Sequence, residues 1–134
     1  MLSPALPAFL LPETTVREDG SGPVLELQRN TPEKVLLTLG VTHTLEQESL
    51  DLAILASVDG ENWESKPLFA FPQKFYCGNY QVVLDLKRFP PVKFLRARWQ
   101  VNRWGKGDLK PLFEIYLFAE AVPVMDLVAV GASA

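Results

Sequence analysis

The sequence predicts an all-β protein: a two-sheet antiparallel β-sandwich of about seven to eight strands with apolar N- and C-terminal arms. Three observations predict it. Apolar residues recur with a period of two, which sends alternate side chains to opposite faces of a pleated strand. Proline and glycine turn signals separate these runs at short, regular intervals. No stretch of convincing helical length appears, and residues 45–50 could make one turn at most.

The first strand run, residues 24–28, puts Leu25 and Leu27 on one face. After a turn at Thr31 and Pro32, residues 34–41 alternate more cleanly, with Val35, Leu37, Leu39 and Val41 on one side. Residues 49–58 give the strongest pattern, since Leu50, Leu52, Ile54, Ala56 and Val58 share a face. Asp59 and Gly60 end that run, because glycine tolerates the positive φ of a tight reversal. A short, edge-like strand over 67–71 stops at Pro72. Residues 79–86 align Tyr80, Val82, Leu84 and Leu86, and Pro90 and Pro91 close the run because proline donates nothing to a ladder. The longest candidate is 93–104. Leu95, Ala97, Trp99 and Val101 face the core there, while Phe94, Arg96, Arg98, Gln100, Asn102 and Trp104 face outward. A loop over 105–111 leads to 112–119, with Phe113, Ile115, Leu117 and Ala119 aligned. Trp63 and Trp99 are expected to be largely buried.

The chain divides into an N-terminal arm (1–22), a sandwich (23–120) and a C-terminal arm (121–134). Both arms are apolar and lack strand alternation, and exposed apolar segments mark docking surfaces, here on the domain itself or on a neighbouring subunit. Pro4, Pro7 and Pro12 and the lack of an early basic residue argue against a cleavable signal peptide. The C-terminal arm carries Asp126 and falls short of the roughly 20 residues a membrane helix needs. The expectation is a protein with no membrane span, intracellular or part of a released particle.

At 134 residues, 48% apolar and 22% charged, the chain can bury one core without staples. Its net charge of −3 hides a split that could steer self-association. Residues 1–66 carry eleven acids against Arg17, Arg29, Lys34 and Lys66, whereas 87–110 carry eight bases against Asp108 alone. Cys77 and His43 are the only residues of their types, so an internal disulfide and the usual His/Cys zinc site are both ruled out.

Two segments carry a resemblance. LDLAILASVDGENW contains Ser57, Asp59, Gly60 and Trp63 in a Ser-x-Asp-Gly-x-x-Trp pattern, and KFLRARWQV contains Phe94, Leu95, Arg96 and Arg98. The pair resembles strand motifs of discoidin or galactose-binding-like jelly rolls and of small accessory structural proteins of phages and prophages. The resemblance implies a jelly-roll-like sandwich. It covers roughly half of it. No sugar- or lipid-binding loop residue is matched, and the paired cysteines of extracellular discoidin domains are missing.

No catalytic, cofactor or metal site is expected. Asp59, Glu61 and Glu64 gather carboxylates at one turn, but their spacing does not fit a calcium loop and suits a solvated hairpin. His43 lies near Ser49 and Asp51 without a nucleophile motif, and reads as a turn histidine. Cys77 reads as inert. Phe94, Arg96, Arg98 and Trp104 form the candidate ligand or partner surface, able to stack a ring, or else a solvated face whose arginines pair with acids across the sheet. The overall acidity weighs against nucleic acid. The leading expectation is a structural or assembly subunit with a protein partner, forming a homo-oligomer or decorating a phage-like particle. The alternative is a carbohydrate-binding module.

Overall fold

The computed structural model describes residues 6–27, 34–87, 92–107 and 109–122. They form strands β1 (Ala8–Val16), β2 (Gly20–Ser21), β3 (Leu25–Glu26), β4 (Lys34–Thr44), β5 (Glu48–Ser57), β6 (Phe69–Ala70), β7 (Gly78–Asp85), β8 (Phe94–Arg103) and β9 (Phe113–Ala121), with no helix among the described residues. One sheet has the order β1-β9-β4-β7, the other β2-β8-β5-β6, with β3 also on β8. All pairings are antiparallel.

β2 and β3 behave as one interrupted edge strand. They pair with Trp99 and Arg98, then with Leu95 and Phe94, and the Gly22 N–H donates to Ala97 O between them (2.9 Å). Pro23, which has no N–H, sits at the interruption. Counting that strand once, the antiparallel pairs β1/β9, β2–β3/β8, β4/β7 and β5/β6 wind the chain as a jelly roll.

The seven strands read from the sequence are all present, and β1 and β2 are additional. Both come from the segment expected to be an arm, so the sandwich begins at Ala8 rather than at residue 23. Their pattern was hidden for a local reason. β1 is an edge strand whose register against β9 shifts between Phe9 and Leu11 and again between Leu11 and Thr14. Such irregularities break the period of two, so Leu10 and Leu11 are both buried, and they accommodate Pro12 where no ladder hydrogen bond is required. Of the expected C-terminal arm, Ala121 ends β9 and the Val122 N–H donates to Lys34 O (3.0 Å). Residues 123–134 lie outside the described set.

The two sheets enclose one core. β4 supplies Val35, Leu37, Leu39 and Val41, β9 supplies Phe113, Ile115, Leu117 and Ala119, β5 supplies Leu50, Leu52, Ile54 and Ala56, and β8 supplies Leu95, Ala97 and Trp99. Each of these is a position the period of two assigned inward. Burial of a Leu, Ile or Phe side chain contributes about 1.5–3 kcal/mol, which makes this shared fate the main stabilising term. Val58 departs from its expected face and is exposed, because β5 ends at Ser57.

Candidate functional site

The candidate surface read from the sequence does not come together. Phe94 and Trp104 are ten residues apart along β8 and its extension, roughly 33 Å at strand rise. Phe94 is half-buried against the loop that follows β5, its ring about where a Cβ on Gly60 would meet it (3.2 Å). Arg96 is also half-buried. Its Nη2 donates to Gly22 O (3.0 Å) and its guanidinium lies 5.4 Å from the Trp63 ring centroid. It therefore braces the interruption between β2 and β3. Arg98 stays exposed at mid-strand, and Trp104 lies at the opposite end of the sandwich.

The expected pairing of these arginines with acids across the sheet is absent among the described residues. Directly across the sheet Arg96 lies opposite Leu55 and Arg98 opposite Ala53 and Ser21, none of them acidic, and Asp51, diagonal to Arg98, accepts from Gln73 Nε2 instead. Trp63 keeps partial exposure, because it follows a reversal at the end of β5 and is bridged to Ser57. Trp99 is buried as expected.

The reversal at Asp59 and Gly60 is a loop organised by one carboxylate. Gly60 has φ +82°, the left-handed conformation expected of it. Asp59 Oδ1 accepts from the Glu61 and Asn62 N–H groups (2.9 and 2.8 Å) and from Ser57 Oγ (3.1 Å), and Oδ2 accepts from Asn62 Nδ2 (2.8 Å). The Asp59 carboxylate is thus engaged by its own loop, and no group of three or more metal-ligating side chains occurs among the described residues. The hydrogen bonds from Asn62, backbone first, and then from Glu61 hold the Asp59 carboxyl well below the usual carboxylate range. A depressed folded-state pKa stabilises the loop above the ordinary carboxylate pKa and loses that contribution as pH falls through the folded value. In an acid titration followed by NMR, the Asn62 amide shift should accordingly move only at pH well below the usual carboxylate range. Movement within the usual carboxylate range would show that the loop does not hold the charge.

His43 is an exposed residue of β4 rather than a turn residue, and it pairs with Glu114 of β9 after a register shift between Val41 and His43. Ser49 is buried and Asp51 accepts from Gln73 Nε2 (3.0 Å), so the three do not form a triad. Cys77 is exposed.

What gathers at the other end is an aromatic cluster that period-two reasoning missed. Phe75, Tyr76 and Trp104 are exposed, by 39%, 76% and 55%. Phe75 packs edge-on to Trp104 (centroids 6.3 Å apart) and lies 6.2 Å from Tyr76. With Thr44–Glu48 they line a cleft of ≈ 550 Å³. The cluster is held from below. Lys74 and Leu50 exchange two backbone hydrogen bonds (2.8 and 2.9 Å), the Trp104 N–H donates to Gln47 O (2.9 Å), and Tyr80 Oη donates to Tyr76 O (3.1 Å). Buried Glu48 forms the floor, accepting from Thr44 Oγ1, Leu45 N and Leu112 N. The signal available in the sequence was a pair of adjacent aromatics, Phe75 and Tyr76, between Pro72 and Gly78, where no alternation buries them.

The chain matches no family model, no curated protein and no solved structure. No helix among the described residues is long and apolar enough to cross a membrane.

Proposed function

We propose that the protein is a non-catalytic assembly subunit, a sandwich that joins copies of itself or the surface of a larger particle through the aromatic end formed by Phe75, Tyr76 and Trp104. The exposure of that cluster carries the reading. Tyr, Trp and Phe are enriched at protein interfaces, and side chains already fixed by the scaffold lose little entropy on docking. Leu109, in the same β8–β9 connection as Trp104, is a further exposed apolar side chain. The polar groups best suited to chemistry are committed to the scaffold: Glu48 holds two loops together, and Asp59 and Ser57 organise the reversal after β5. That supports binding over catalysis. In this reading the protein works inside the cell or on a released particle, and the resemblance to phage accessory proteins is its support.

Light scattering on the full chain should give a multiple of the 15.0 kDa chain mass. Tyr76→Ser and Trp104→Ser should return it to the monomer with unchanged circular dichroism. A full-length monomer that recovers no partner in native pull-downs would sink the reading, as would an oligomer indifferent to both substitutions.

A further inference from the structure

We propose that the outer face of the β1-β9-β4-β7 sheet holds a carbohydrate-binding site that takes one pyranose ring of a neutral saccharide. This site is separate from the aromatic end and does not depend on the assembly reading. Its floor is Tyr116. A Cβ at Gly40 would lie 2.0 Å from Tyr116 Cε2 and 2.2 Å from Cζ, so the phenol occupies the space that any other residue of β4 would fill. From β9 the ring reaches across β4, and its hydroxyl donates to Asn79 Oδ1 on β7 (3.0 Å). The ring is thereby laid down over the sheet and pinned at its far end, with its outer side in the groove.

Phe9 makes the wall. It stands at 80° to Tyr116 with centroids 6.2 Å apart, backed by Phe118 at 4.9 Å, and it is 52% exposed. These three rings, with Glu13 and Thr38, line a groove of ≈ 410 Å³. Polar capacity is available at its edge. Thr38 Oγ1 accepts from Gln81 Nε2 (3.2 Å), which leaves its O–H free to donate, and Glu13 Oε1 accepts from Thr42 Oγ1 (2.9 Å), which leaves Oε2 free to accept.

An apolar floor and wall with one donor and one acceptor at the rim match a pyranose, whose C–H face is apolar and whose hydroxyls radiate from its edge. A phosphate-bearing ligand fits worse, because the outward charges flanking the groove include Glu13, Glu114 and Glu120. An ammonium fits worse too, since rings already in contact leave no box to enclose it. Because the floor is fixed before binding, little ordering entropy opposes it.

The test is an array of neutral mono- and oligosaccharides probed with the full chain, followed by calorimetry on the saccharide bound. Phe9→Ala, Thr38→Val and Gly40→Ala, the last displacing the Tyr116 ring, should each weaken binding at least tenfold. Trp104→Ala, outside the lining of this groove, should leave it within twofold. Phe9 and Thr38 lie at or near the surface, so these variants keep the test decisive should Gly40→Ala disturb folding. An array with no saccharide above background overturns the proposal. So does binding that survives Phe9→Ala and Thr38→Val, or that is lost only with Trp104→Ala. Loss of self-association in Phe9→Ala without any saccharide bound would likewise overturn it and assign the groove to a second copy.

Discussion

Trp99→Ala should lower the unfolding free energy by about 3–5 kcal/mol, the range for removing a large aromatic from a core. Trp99 points inward from β8 and is nearly buried, and its ring lies against Gly20 and Gly22 on the interrupted edge strand, where a Cβ at Gly20 would come within 3.2 Å of Nε1. Nε1–H donates to Glu18 O (3.1 Å), tying the turn before β2 to the sheet. The substitution therefore opens a cavity and frees the edge strand together. Domains typically unfold at about 5–15 kcal/mol, so the loss takes a large share of the total. In urea the midpoint should fall by about 2 M with little change in slope. A loss below about 1 kcal/mol would mean that the inward face of β8 is misassigned.

Glu48→Ala should cost about 3 kcal/mol or more by leaving partly buried donors without an acceptor. Glu48 is 1% exposed at the start of β5. Its Oε2 accepts from Thr44 Oγ1 (2.6 Å) and Leu45 N (2.9 Å), and Oε1 accepts from Leu112 N (3.0 Å). One side chain thus links the β4–β5 turn, in which Gln47 has φ 56°, to the chain entering β9. Glu48→Gln should cost less, about 1–2 kcal/mol, since the amide keeps one acceptor but turns its NH2 toward a donor. Amide exchange at Leu45 and Leu112 should accelerate in Glu48→Ala before global unfolding. Unchanged exchange at both amides, with stability near wild type, would remove Glu48 from this role.

These two residues also mark how far the sequence could be read. Trp99 was legible because its neighbours two positions away, Ala97 and Val101, point to the same face and the pattern continues through β8. Glu48 was not. An acid beside a turn ordinarily reads as solvated, and only the meeting of three chain segments converts it into a buried acceptor. The candidate partner surface shows the same limit. Phe94, Arg96 and Arg98 do leave the core face of β8, as the alternation required, yet the loop carrying Gly60 and Trp63 folds over two of them. Tyr116 was simply an outward residue of β9 until its cross-strand neighbour proved to be Gly40.

By itself, then, the alternation of apolar side chains determined the class of fold and, for six of the seven strands it located, which face is buried, because a pleated strand couples every side chain to those two positions away. The tertiary structure alone decided the jelly-roll winding, the recruitment of residues 8–21 into the sandwich and the two aromatic surfaces. Those depend on contacts between segments distant in the chain, and no local period encodes which strands become neighbours or which loops meet at an end.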